Sequence, residues 1–353
     1  MCIIEQIRKL VLLGFTAGFL SLMSAGQPAA GPVQLLPESI NNAEFPQKAP
    51  RSLPPALIAR AQILLDQANF SPGEIDAKDG ENFKKALRAF AEANGLPPKA
   101  ALTKEVWLKL AERGAGPAVT EYQISGEDLK GPFNPDLPTK MEDMKDLAAA
   151  PYTSAMEALA ERFHMSADLL KKLNAKSAFD RAGETIMVAN VLSTGEAPKA
   201  SRVEISKATQ TVRVFDANNS MIAFYPATVG SEEKPSPSGK LKVTQIERDP
   251  TYRYNPEYRF KGVTATKPFT IKPGPNNPVG VVWIGLSEKG YGIHGTPDPA
   301  KVSKAESHGC VRLTNWDAED LAKRLTKGAQ VAFVDERERG NAQESKRKRA
   351  RKA

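Results

Sequence analysis

From Ser201 onward the apolar residues change their spacing, and this sets what the chain can fold into. Before that point they recur three and four apart: Leu57, Ile58, Ala61, Leu64 and Leu65; Phe83, Ala86, Leu87 and Phe90; Met156, Leu159, Ala160 and Phe163; Leu169, Leu170 and Leu173. After it they alternate, as in Val203 and Ile205 or Val212 and Val214. The first spacing puts a stripe on one face of a helix, and the second lines one face of a strand. Further strands are expected at 221–225, 227–230, 241–246, 281–284 and 331–334, with turn chemistry at Asp216–Asn219 and Pro/Gly loops at 235–239 and 272–278. One helix is expected from Trp316 to Leu325, capped by Thr314 or Asn315. The fold class read from this is multidomain. It comprises a small α-helical bundle over 56–113, a small α+β module preceded by a linker over 114–195, and a mainly-β sandwich over 201–335 with one late helix.

The remaining segments have no core to build. Residues 1–26 carry Arg8 and Lys9, then an apolar run from Leu10 to Met23, then Ser24, Ala25 and Gly26. That is the pattern of a secretory signal peptide, and the run is shorter than the roughly 20 residues a spanning helix needs. The expected location is therefore exported. Residues 27–55, rich in Pro, Ala, Asn and Gln, read as a disordered linker. The chain is basic, but +6 of its net +8 lies in residues 337–353. A basic disordered tail over 336–353, not a basic face on a domain, accounts for the charge. Nucleic acid is therefore not an expected partner; anionic wall polymer or a membrane surface is a possible contact for the tail, and simple solubilisation explains it equally well.

Chemistry concentrates between Ile293 and Asn315. This stretch holds two of the three histidines, His294 and His308, and Cys310, one of two cysteines. The other, Cys2, lies in the expected signal segment. A lone thiol near imidazole is the minimum for cysteine nucleophilic catalysis. Imidazole can take the thiol proton or hold a thiolate as an ion pair. Gly309 beside the nucleophile permits close backbone approach, and the amides around Gly309 and Cys310 can form an oxyanion hole. Arg312 is a cation beside the thiol, suited to binding a substrate carboxylate or to fixing the loop. Proximity alone selects His308 as the base. Zinc on His294, His308 and Cys310 lacks a fourth ligand and any C-x-x-C pair.

The pattern H-G-T at 294–296 with S-H-G-C-V-R-L-T-N at 307–315 resembles the signature of the L,D-transpeptidase family, whose catalytic domain is a YkuD-type β-sandwich. The Y-G-I approach at 291–293 and Pro237-Ser-Gly239 support the resemblance. It implies Cys310 as acyl-accepting nucleophile, His294 as base oriented by the Gly295 carbonyl, and His308 with Gly309 at the oxyanion region. Tyr291, Thr296, Ser307, Arg312 and Asn315 are expected to contact substrate. The implied reaction is attack on the L-centre carbonyl of a diamino acid in a peptidoglycan stem tetrapeptide. D-alanine leaves, and the acyl group passes to an amine as a 3→3 crosslink, without metal or cofactor. Water, or an amine on an outer-membrane protein, are alternative acceptors; a non-catalytic wall-binding protein is a further alternative. Upstream, Gly73-Glu-Ile-Asp76, Ala86–Phe90, Asn94–Pro97 and Leu102–Leu110 resemble the peptidoglycan-binding-domain-1 family, with Ala91 where that family often has Gln. The helix–helix–strand order from Tyr152 to Val188 resembles a degenerate LysM module, with Tyr122–Asp128 as a distant version of its first strand and turn. These modules would hold the enzyme on glycan and raise local substrate concentration. His164 reads as an ordinary helix-end or surface residue.

Overall fold

The computed structural model describes residues 35–48, 51–114, 116–191, 196–230, 235–258, 263–305 and 309–334. The expected signal segment and basic tail lie outside the described residues. So do Ser307 and His308. Among the described residues no helix is long and apolar enough to cross a membrane.

Four helices come first: α1 (Pro37–Asn41), α2 (Pro55–Gln67), α3 (Glu81–Ala93) and α4 (Lys104–Ala111). The apolar stripes of α2, α3 and α4 meet in one cluster that includes Leu57, Phe83, Leu87, Phe90 and Trp107. Gly95 closes α3 in the left-handed region (φ +70°) as its helix-ending position requires. Thr103 caps α4 by accepting the Val106 N–H at 3.3 Å. The disordered-linker reading of 27–55 needs correction over 35–48. Pro37 starts α1 from a position where no N–H is needed, and Ile40 is fully buried. The Asn41 amide also bonds both the N–H (2.8 Å) and the C=O (2.9 Å) of Val119.

The 114–151 stretch is more ordered than its composition suggests. It contains β1 (Val119–Gln123) and a 3₁₀ turn, Met141–Asp146. After it come α5 (Ala155–Arg162), α6 (Ala167–Leu173) and β2 (Thr185–Ala189). β1 and β2 pair antiparallel, from Val119↔Ala189 to Gln123↔Thr185, completing a βααβ unit. Ser166 caps α6 on the Leu169 N–H at 3.2 Å. Asp128 ties the turn after β1, accepting from Ser125 N–H and Oγ and from Tyr122 Oη.

The β region contains β3 (Arg202–Ser206), β4 (Thr211–Phe215), β5 (Met221–Pro226), β6 (Thr228–Val229), β7 (Gly239–Arg248), β8 (Tyr252–Tyr254), β9 (Phe269–Ile271), β10 (Val282–Leu286), β11 (Gly292–His294), β12 (Val311–Arg312) and β13 (Gln330–Val334). α7 (Asn315–Arg324) precedes the last strand, and Thr314 is its cap, accepting the Asp317 N–H at 3.2 Å. Nine of these strands are ordered β5-β4-β3-β13-β7-β10-β11-β12-β6. The two ends of that order, β5 and β6, are consecutive chain separated only by Ala227. The sheet therefore folds back on itself, and the expected sandwich is barrel-like: β7 pairs with β13 through its first half and with β10 through its second. Its interior is one cluster including Val203, Val214, Tyr225, Ile284, Ile293, Val311 and Leu321.

The three regions are not beads on linkers. Phe224 of β5 is buried in the helical cluster of α2–α4, where a full phenylalanine burial contributes about 1.5–3 kcal/mol. Ser71 Oγ donates to Asp317 of α7 at 3.0 Å, and Arg213 of β4 pairs with Glu92 of α3 at 2.8 Å. His164 does follow the end of α5, and its side chain is half-buried, 21% exposed. It stacks on Trp316 with centroids 5.2 Å apart and meets Asp66 at 2.9 Å. Beside it a cavity of about 350 Å³ lies between the regions, lined by residues of all three, among them Asp66, Glu161, Tyr225 and Asp317.

Candidate active site

Strand register places the chemistry. β11 and β12 run parallel with Ile293 opposite Val311 and His294 opposite Arg312. β10 sets Trp283 opposite His294 and Ile284 opposite Ile293. β6 sets Val229 opposite Val311 and Thr228 opposite Arg312. Because side chains alternate across a strand, Ile284, Ile293, Val311 and Val229 form one row pointing into the core. Trp283, His294, Arg312 and Thr228 form the row on the other face. Cys310, two residues before Arg312, belongs to that second face. Its α-carbon lies one strand across and two residues along from that of His294, a diagonal of about 8 Å by ladder spacing.

Each group is fixed by backbone chemistry. His294 is 4% exposed, and its Nδ1–H donates to the Gly295 carbonyl at 2.6 Å. That bond selects the tautomer with the lone pair on Nε2. Trp283 stacks on the ring at 5.6 Å and 20°. Gly292 makes room for the indole, since a Cβ there would lie 2.6 Å from it. Gly309 has φ +102°, and a Cβ on it would lie 2.7 Å from the Tyr291 ring. Its carbonyl accepts from Ser236 Oγ at 2.6 Å. Across a trans peptide this points the Cys310 N–H the opposite way, away from Ser236.

The electrostatics select a neutral resting pair. Burial, helped by the Arg312 charge, holds the His294 pKa down to about 3 against the pull of the Gly295 carbonyl. Burial pushes the Cys310 thiol above its ordinary value, against the Gly292 amide and Arg312, and the thiol donates weakly to the Gly290 carbonyl at 3.8 Å. Burial also works against the Arg312 charge, while Cys310, Tyr252 and Asp298 favour it. Of the two arrangements open from sequence, the thiol–imidazole pair is the one these environments favour. Iodoacetamide alkylation of Cys310 is therefore expected to climb steadily from pH 6 through pH 9, following the thiolate fraction. A plateau below pH 8, measured by mass spectrometry of quenched samples, is the signature of a thiolate–imidazolium pair and contradicts this. The same ring affects stability. Its folded pKa is depressed, so its contribution is intact above pH 6.5 and is lost as pH falls toward 3.

Other expected substrate contacts turn inward. Asn315 is 3% exposed, and its amide is spent on protein groups. Oδ1 accepts the Thr296 N–H at 3.1 Å and the Val281 N–H at 3.4 Å, and Nδ2 donates to Pro275 O at 3.1 Å and to Glu161. Asn315 thus holds the loop after His294, which corrects its reading as a substrate contact. Thr296 is buried as well, with its hydroxyl accepting the Asp298 N–H at 3.3 Å. Tyr291 and Arg312 keep partial exposure on the site face. Ser236, Trp283 and Glu161 escaped the sequence reading; the Pro-Ser-Pro-Ser-Gly loop was the only local signal for any of them. Among the described residues no group of three or more His, Cys, Asp or Glu side chains is arranged to hold a metal ion.

The L,D-transpeptidase catalytic-domain family, YkuD, matches residues 200–332. The putative L,D-transpeptidase YkuD of Bacillus subtilis is 28% identical over 179 residues, 50% of this chain and 92% of that protein. The Bacillus licheniformis protein of the same name is 26% identical over 153 residues, 43% of this chain and 76% of that one. Among solved structures, L,D-transpeptidase 3 of Mycobacterium tuberculosis with a faropenem-derived adduct overlaps 44% of this chain and 71% of its own, at 19% identity and a TM-score of 0.32. With the family match lying over the strands and motif just described, the chain carries, across residues 200–332, an L,D-transpeptidase catalytic domain of the YkuD family.

Proposed function

We propose that Cys310 is the nucleophile and His294 the general base of acyl transfer on peptidoglycan stem peptides. The observation that carries this is the shared face: register sets His294 beside Arg312 and two residues from the level of Cys310, with its Nε2 lone pair free of the Gly295 bond. In the first half, Nε2 takes the thiol proton as sulfur attacks the L-centre carbonyl of the diamino acid in a tetrapeptide. The tetrahedral intermediate collapses, the C–N bond to D-alanine breaks, and the imidazolium returns its proton to the leaving amine. In the second half, an acceptor amine loses a proton to the neutral imidazole, attacks the thioester and regenerates the thiol. The product is a 3→3 crosslink.

The amides of Gly309 and Cys310, with His308, serve the developing oxyanion. Donors of this kind contribute about 3–4 kcal/mol each. Arg312 and Tyr291 face the substrate. The protein is exported to the periplasm or cell wall, where its upstream units keep it near glycan and the basic tail meets anionic polymer. An outer-membrane protein amine or water as acceptor gives a different product from the same acyl-enzyme.

Two measurements test this. A carbapenem should form a one-to-one adduct that maps to the peptide containing Cys310. With disaccharide-tetrapeptide, released D-alanine and a 3→3 dimer should appear. An unlabelled Cys310 sinks the transferase reading; labelling with only tripeptide product assigns water as acceptor.

A further inference from the structure

The loop that orients His294 is held from outside the catalytic domain. Asn315 Oδ1 is wedged between two chain segments: a Cβ on Gly295 would lie 2.2 Å from it, and one on Gly280 2.0 Å. It satisfies the Thr296 and Val281 N–H groups only while the oxygen, not the nitrogen, faces them. An amide can rotate by half a turn at no covalent cost, so something must fix which end is which. On the nitrogen side stand Pro275 O and, at 3.2 and 3.0 Å, both oxygens of Glu161.

Glu161 belongs to α5 of the βααβ unit, 154 residues away in sequence. It is 8% exposed and forms no ion pair among the described residues. Its other donor is Tyr152 Oη at 3.2 Å. Burial pushes its carboxyl up to about 7, against the Asn315 and Tyr152 donors. Either protonation state keeps an oxygen that accepts from Nδ2. A buried carboxyl without a countercharge costs stability, so its place beside the amide points to a positional task.

We propose that Glu161 is a positioning residue for the catalytic base: through Asn315 it holds the Gly295–Thr296 turn whose carbonyl orients His294. The βααβ unit is then part of the active site's framework, in addition to any glycan-binding task. This rests on His294 being the base.

The test uses the full chain and a carbapenem, with the saturating acylation rate and the apparent affinity measured separately. Glu161→Met keeps the side-chain length but has no acceptor oxygen; Glu161→Gln keeps one. E161M should acylate at least ~10-fold more slowly at saturation with affinity within about twofold, and E161Q should recover to within about threefold of the wild-type rate. Should E161M not fold, Glu161→Asp, which draws the carboxylate back by one methylene, replaces it with the same expectation. A wild-type rate for the variant without the positioned acceptor overturns the proposal, as does equal slowing in E161Q. A second readout needs no reaction. The His294 Nδ1–H resonance, assigned by its absence in His294→Ala, should persist in E161Q and lose its exchange protection in E161M. If wild-type protein is not acylated at all, the transferase reading has failed, and this resonance still decides the positioning claim.

Discussion

Replacing Cys310 with alanine is expected to abolish carbapenem adduct formation, and replacing His294 with alanine to slow acylation by about 10²–10⁴-fold. The second expectation follows from the resting state. Burial pushes the thiol up and holds the imidazole neutral, near 3, so little thiolate exists at neutral pH without a local proton acceptor. Arg312, the other ionisable group of that row, is already protonated and cannot accept a proton. The loss should shrink at high pH, where hydroxide does the work of the base. Iodoacetamide alkylation of H294A at pH 9 should lie within several-fold of wild type, and a wild-type circular-dichroism spectrum and cooperative unfolding transition check that the variant folds. Wild-type acylation by H294A, with His308→Ala inactive, would transfer the base assignment to His308.

The longer apolar and alternating segments were legible, because four or five such residues bounded by turn chemistry leave little but a strand. β5 and β13 lie within a residue of their expected ends, and β3 and β4 contain the alternating pairs Val203/Ile205 and Val212/Val214. The strands that carry the site were not. β11 and β12 are three and two residues long, too short to show any alternation. Proximity along the chain favoured His308 and the family resemblance favoured His294; the pairing of His294 with Arg312, which sets His294 on the Cys310 face, supports the second. Ile40 was missed because α1 spans five residues and has a single buried apolar side chain. Glu161 was illegible for a different reason. On an amphipathic helix, a Glu between Ala160 and Arg162 reads as solvated surface. Its partner is 154 residues away, and no local pattern encodes such a contact.

Gly295 provides the second large effect. It is not among the glycines with positive φ, so backbone freedom does not explain it. Close approach does: an added Cβ would meet Asn315 Oδ1 at 2.2 Å, while its next neighbours, the Asn315 Cα and Cγ, lie at 3.3 Å. Gly295→Ala must therefore displace the Asn315 amide, at a cost of about 1–3 kcal/mol or more for overpacking. The displacement also takes acceptors from the Thr296 and Val281 N–H groups and a donor from Glu161, at about 1–3 kcal/mol for each group left buried and unsatisfied. Asn315→Ala alone loses the same bonds without the clash. The two costs overlap, so they should not add: in the Asn315→Ala background, Gly295→Ala should cost at least ~1 kcal/mol less than in wild type, a coupling typical of contacting residues. Denaturant unfolding of the four proteins measures it, and additivity within about 0.5 kcal/mol would show that the glycine serves something other than this amide. Acylation should follow in parallel, because the carbonyl that orients His294 is that of Gly295 itself. A Gly295→Ala protein of normal stability and normal acylation rate would separate the turn from the base and leave the Asn315 hub purely structural.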